Sequence, residues 1–272
     1  MQLKATLLTG LVTFSLVACT NDSPTTKGPK PTSVTDTKVQ ELENKLLQEP
    51  QVDSIREQLV QELVGNNQYD KALIQVEQLI KKQPGNPAYL FMKADALERK
   101  GDTANAIATY EQSIAAAGLF THAELRLASL YAETGNQKAV VLCDALLKDA
   151  TAVQFRSDIL FVKAAYYTKA KEPAKALNIY NQIIREDYTY LDAYIEKGLI
   201  YYDQKKFDEA HNVFTQSTNV SNKFADGYFW MAKAEEKLNR TTEAIDNYKR
   251  SLALDQSMNE AKDALKRLGV MK

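Results

Sequence analysis

The chain has 272 residues, with 34 basic and 35 acidic side chains and a formal net charge of −1. That balance, interspersed along the whole length, excludes the basic face that a nucleic acid needs for its phosphates. With 44% hydrophobic and 25% charged residues, only 10 glycines and 7 prolines, the composition favours a soluble helical chain over a sheet protein.

In chain order, Lys4 supplies a positive start, Ala5 to Ala18 carry no charge, and the apolar stretch stops at Cys19. These 14 residues are too few to cross a hydrocarbon core of about 30 Å, so residues 1–18 are expected to be a secretion signal. Leu16-Val17-Ala18-Cys19 resembles the lipobox of bacterial lipoproteins. The resemblance implies that Cys19 becomes the acylated first residue of the mature protein. Two or three acyl chains bury on the order of 30 methylenes at roughly 0.8 kcal/mol each, enough for lasting membrane attachment. The other reading is an ordinary secreted protein cut before a free Cys19. Asp after the lipidated cysteine favours inner-membrane retention in enteric bacteria; Thr20 stands here, which by that resemblance favours the outer membrane, periplasmic face. With Cys19 consumed, Cys143 is unpaired and no disulfide is expected within the chain. Residues 19–37, rich in Thr, Ser, Pro and Lys, cannot bury a core and form a tether reaching about 25 Å.

A helix is expected from near Thr37, where Thr37 and Gln40 have capping-box spacing, with Val39, Leu42 and Leu46 as its apolar stripe and Pro50 as its stop. Ser54 and Glu57 form a second capping box, opening an array that fills the rest of residues 38–272. Its mark is an alanine that returns at 72, 106, 139, 176, 210 and 244, in steps of 34, 33, 37, 34 and 34. Such a period is that of helix-turn-helix repeats, each a helix A, a tight turn and a helix B. The units run near 53–86, 87–120, 121–156, 157–190, 191–224 and 225–258, with a cap over 259–272. In the fifth unit, for example, the pattern reads Tyr194, Gly198, Tyr201, Phe207, Ala210 and Phe214.

On these residues the stretch from Asp53 to Leu268 resembles the tetratricopeptide repeat family. The resemblance implies an all-α, right-handed superhelix of about six repeats with a C-terminal capping helix. Ala94, Ala128, Ala164, Gly198 and Ala232 would let helix A approach helix B, and the bulky residue four positions after each recurring alanine would fill the wedge to the next unit. Unit one departs with Val60 at the small position. Unit three lacks one residue in its A–B turn and is followed by a longer connection, 150–156, so a local change of superhelical pitch is expected there. Pro84 closes unit one and Gly118, as a left-handed cap, closes unit two.

In this family helix A faces a concave groove. By that resemblance Phe91, Leu125, Phe161, Ile195 and Phe229 form an apolar stripe along it, with Asp95, Ser129, Tyr202, Lys233 and Glu236 beside them as polar partner-binding positions. An exposed stripe of that extent marks a binding surface. The competing reading is that the five apolar residues thicken the packing between repeats. Family members that clamp a terminal carboxylate use Lys, Asn and Arg. The comparable positions here hold Glu57, Gln61, Met92, His122 and Arg126, of which only Arg126 fits.

Nothing points to catalysis. His122 and His211 share no ligand spacing, Cys143 occupies a packing position, and no phosphate loop or nucleophile elbow occurs. No metal and no cofactor are expected beyond the lipid on Cys19. The expected function is a membrane-anchored adaptor that binds envelope proteins through an extended segment or an amphipathic helix. In layout it is similar to tetratricopeptide lipoproteins of outer-membrane, pilus or proteolytic assembly, with an uptake or gliding apparatus as a rival. The alternative of a different class is a lipoprotein that binds glycans or peptidoglycan fragments on its tyrosines.

Overall fold

The computed structural model describes residues 34–118 and 120–271; the signal, Cys19 and most of the expected tether lie outside them. Among the described residues there are fourteen α-helices, one 3₁₀ turn and no strand. A leading helix, α1 (Val34–Gln48), precedes six helix pairs. These are α2 (Asp53–Gly65) with α3 (Tyr69–Lys82), α4 (Pro87–Lys100) with α5 (Thr103–Ala117), and α6 (Thr121–Glu133) with α7 (Lys138–Leu146). The second half holds α8 (Arg156–Lys169) with α9 (Pro173–Glu186), α10 (Leu191–Asp203) with α11 (Phe207–Val220), and α12 (Ala225–Lys237) with α13 (Thr241–Leu254). A short α14 (Asn259–Arg267) ends the array. The all-α solenoid read from the 34-residue period is the architecture the chain adopts.

Both expected capping boxes are displaced. α1 begins at Val34, so Thr37 lies inside its first turn rather than before it. α2 begins at Asp53 behind an uncapped Val52. There Asp53, a first-turn carboxylate that suits the helix dipole, pairs with Lys82 at 2.6 Å, and Ser54 is left as an ordinary helical residue.

The helix pairs close on their small residues. The recurring alanines from Ala72 to Ala244, and Ala94, Ala128, Ala164 and Ala232 on helix A, are all 0% exposed. Gly198 shows why the position is small: a β-carbon there would fall inside the ring of Phe214, the bulky residue of its own unit. Each A–B turn is a Schellman motif, in which a left-handed residue lets the next N–H reach back to the last helical turn. Those bonds include Gln68 N to Leu63 O at 2.8 Å, Asp102 N to Leu97 O at 2.9 Å and Lys206 N to Tyr201 O at 2.9 Å. The left-handed residue is Asn67 in unit one, Gly101 and Gly135 in units two and three, Lys171 and Lys205 in units four and five, and Asn239 in unit six. The two lysines sit at φ 59° and 61°, a region that costs an L-residue with a β-carbon about 1–2 kcal/mol.

Every other pair of successive helices A touches, α2 with α4, α6 with α8 and α10 with α12, whereas no two helices B pack closely. Helices A therefore form the inner wall of the solenoid and helices B the outer. The irregularity at unit three is real and local. α7 has only 9 residues, and the link after it folds as a 3₁₀ turn, Ala150–Phe155, opened by the Asp149 carboxylate accepting from Thr151 N. As a result α8 packs on α6 as fully as on α7. α6 is buried on nearly every side, from Ala123 through Leu130 to Ala132.

Candidate functional site: the inner wall

The expected apolar stripe does not stand in open solvent. Leu125, Phe161 and Ile195 are buried, at 8%, 6% and 9% exposure. Phe91 and Phe229 are half-buried and packed against core clusters. The cause is helix rotation: this column turns toward the bulky residue of helix B. Phe91 lies edge-on to Tyr110 at 5.6 Å, Phe161 edge-on to Tyr180 at 5.7 Å, and Phe229 against Tyr248 at 5.7 Å. All five thus pack at least partly between helices, and Phe91 also lines an opening. Between α2 and α4 a cleft of about 300 Å³ is lined by Val60, Gln61, Val64 and Gly65 on one side and Phe91, Met92, Asp95 and Arg99 on the other.

The polar positions divide. Asp95 is held by Arg99, whose Nε donates at 3.0 and 3.1 Å, and Ser129 is buried. Glu236 accepts from both Arg267 Nη atoms at 2.7 and 2.8 Å and from Tyr248 Oη. The Arg267 pairing holds its carboxyl below the usual range, and Lys233 acts in the same direction. Asp95 and Glu236 are thus each paired within the chain, Asp95 at the edge of the cleft. Tyr202 is half-buried, edge-on to Phe207 at 5.2 Å and to Trp230 at 6.2 Å. Lys233 is half-buried.

Every junction between units brings together one side chain from the last turn of a helix A, the bulky residue of its helix B, and one from the next helix A. At three junctions all are apolar or aromatic and lie within one cluster: Val64, Val76 and Met92; Ala132, Cys143 and Val162; Tyr202, Phe214 and Trp230. Between units two and three they are Glu98, Tyr110 and Arg126. Tyr110 Oη donates to Glu98 Oε2 at 2.8 Å, and the Arg126 guanidinium donates to both carboxylate oxygens. Burial pushes the Glu98 carboxyl up despite Arg126 and Tyr110, so the pair is a desolvated one. The end of the array has a similar cluster of Glu236, Tyr248 and Arg267, although the position in register with Arg126 is Ala264 and Arg267 lies three residues further along α14. Sequence reading passed over these polar junctions, although residues 98, 110 and 126 could have been compared across units.

The remaining chemistry is structural. Cys143 is fully buried and burial pushes its thiol up to about 12, so it stays protonated at neutral pH. His122 packs edge-on to Phe155 at 4.9 Å. His211 Nε2 lies 3.0 Å from the buried Glu235, which also accepts from Asn247 at 2.8 and 3.0 Å. Among the described residues no three His, Cys, Asp or Glu side chains converge as metal ligands.

Residues 58–119 and 195–261 match the tetratricopeptide repeat family. Those two stretches are tetratricopeptide repeats. A comparison with curated proteins finds no match. Among solved structures, a tetratricopeptide repeat protein from Parabacteroides merdae superposes with a TM-score of 0.68 at 17% identity, over 84% of this chain and 90% of that one. PilW, described as a widely conserved type IV pilus biogenesis factor, gives 0.64 at 16% identity, over 79% of this chain and 99% of its own. Pseudomonas aeruginosa pilF gives 0.56 at 11%, over 86% and 100%. At such identities the likeness is one of fold. As a tetratricopeptide array the protein has the architecture of an interaction scaffold, its inner wall assembled from α2, α4, α6, α8, α10 and α12.

Proposed function

We propose that the protein is a membrane-tethered adaptor. A lipid on Cys19 holds it to a bacterial membrane, at the outer membrane's periplasmic face, and the inner wall of the repeats holds a segment of one or more envelope proteins. The observation that carries this reading is the cleft of about 300 Å³ between α2 and α4, an apolar floor with Asp95 and Arg99 at its rim. Its mixed lining suits an extended segment or one face of an amphipathic helix. Among the assemblies such an adaptor could serve, the fold likeness to the pilus factors PilW and pilF favours pilus assembly over outer-membrane, motility or proteolytic complexes. A glycan or peptidoglycan-fragment role finds support only in the half-buried Tyr202 and Trp230 pair.

The test is photo-crosslinking in cells from Gln61, in the cleft, with the outer-face Lys249 as control. Lipid labelling and membrane fractionation of wild type and Cys19→Ser accompany it. The expected result is one dominant, identified envelope protein captured from Gln61 and not from Lys249, with Cys19→Ser unlabelled and released from the membrane. Capture from Lys249 alone removes the inner-wall reading. A wild-type protein that takes up no lipid removes the anchor.

A further inference from the structure

One wall of the cleft between α2 and α4 has a residue without a side chain, Gly65. At the same register the other five units carry charged residues, Arg99, Glu133, Lys169, Asp203 and Lys237. Nothing inside the chain accounts for the glycine. Gly65 is the last residue of α2, and the left-handed conformation of that turn falls to Asn67 instead. A β-carbon on Gly65 would meet no atom within 4 Å. Every other described glycine either lies in the left-handed region or has a neighbour that a β-carbon would strike. Glycine in a helix is disfavoured relative to alanine, and close approach of another chain is a reason to keep one.

The rest of the lining indicates what approaches. Val60 and Val64 are buried at the floor, and Phe91 and Met92 face them, half-buried. The charged groups of the lining are Asp95 and Arg99, which are bonded to each other, so the cleft suits an uncharged occupant. Phe91 already lies edge-on to Tyr110 and tilted against Phe120 at 5.2 Å. A further ring would extend that aromatic contact, and the Met92 thioether favours a ring edge beside it. A closed apolar cavity of about 150 Å³ takes a benzene. The open cleft of about 300 Å³ has room for a phenyl or indole ring and the backbone it hangs from. Resting on the scaffold reading above, we propose that the cleft anchors one aromatic side chain, Phe or Trp, of an extended partner segment whose backbone crosses α2 at Gly65.

The experiment uses the full-length protein with carbon-13 in its methionine methyls, and blocked decapeptides of alanine and serine with a central Phe, Trp, Leu or Ala. The Met92 methyl, identified by its absence from Met92→Leu, is the reporter, because a ring seated against it shifts its resonance. The expected result is a saturable shift with the Phe and Trp peptides, which bind about fivefold tighter than the Leu peptide, and no shift with the Ala peptide. Gly65→Arg, which restores the charge of the other units, should weaken the aromatic peptides at least tenfold. Gly65→Ala should weaken them at least threefold while raising the melting temperature of the free protein. A glycine kept for a partner gives that pairing of a more stable helix with a poorer site, whereas a glycine kept for the fold gives a lower melting temperature.

Leu and aromatic peptides that bind alike overturn the aromatic anchor. Gly65 variants that bind as the wild type does overturn the crossing at Gly65. No Met92 shift with any peptide overturns the proposal, and the scaffold reading then rests on capture from Gln61. A partner captured there through a segment without an aromatic residue keeps the scaffold and removes the anchor.

Discussion

The junctions between units two and three and between units four and five are built on one register and use their charges in opposite ways. At the first, Glu98 and Arg126 face each other across Tyr110, and the polar group is complete within the chain. At the second, Thr168 stands in the glutamate's place and the acid, Glu196, in the arginine's, and no ion pair forms between them. The backbone around them differs in the same sense. The turns flanking the closed junction carry Gly101 and Gly135 in the left-handed region, while those flanking the open one carry Lys171 and Lys205. A repeat array can therefore vary the polarity of one junction without changing its architecture, because each unit touches only its neighbours.

Opening the closed junction should have the largest effect. Arg126→Ala leaves Glu98 desolvated and without a cation. Since the two side chains are 22% and 15% exposed, the cost falls somewhat below that of a fully buried pair, at about 2–3 kcal/mol, read as a lower urea midpoint. Closing the open one is the converse: Thr168→Glu with Glu196→Arg should raise stability by about 2 kcal/mol. An unchanged midpoint would break the equivalence of the two sites.

A sharper probe is pH. Burial first, then the charges of Asp192 and Asp203, push the Glu196 carboxyl up to about 7 from an ordinary carboxylate value near 4.5. Across that window the folded state holds more protons than the unfolded one, so wild-type stability falls as pH rises from about 4.5 to 7 and is level above. Glu196→Gln removes that loss. At about 1.4 kcal/mol per pH unit the upper bound is roughly 3 kcal/mol, and water at the inner wall reduces it to about 1–2 kcal/mol above pH 7, vanishing near pH 4.5. A gain independent of pH would mean the glutamate is not the titrating group. The smallest effect belongs to the turns: Lys171→Gly and Lys205→Gly should each stabilise by about 0.5 kcal/mol, the relief of left-handed strain less the added entropy of glycine. The additive gain would show in thermal melts.

Much of the array was legible in the sequence because its small residues are read one column at a time. The six alanines of helix B and their partners on helix A are among the most buried of the described residues, and the missing residue before Ala139 foretold the irregular third unit. Helix rotation is not written in a column. Phe161 looks the same whether it faces a groove or Tyr180, and only the reach of the tyrosine from helix B decides. The capping boxes at Thr37 and Ser54 failed because an N-terminal acid or an earlier start serves a helix equally well. Glu196 needed three columns read together, since alone it is one more glutamate on a helix. The direct packing of α6 on α8 had no trace beyond an insertion.

The lysine turns have a consequence for how the array breathes. A Schellman turn held by a strained residue lets go more readily than one held by glycine, and local openings take the cheapest route. Backbone amides of α9 and α10, which lie between Lys171 and Lys205, should then trade hydrogen for deuterium sooner than those of α5 and α6, which lie between Gly101 and Gly135. The array would then open first in its second half, at the two turns where a lysine does the work of a glycine.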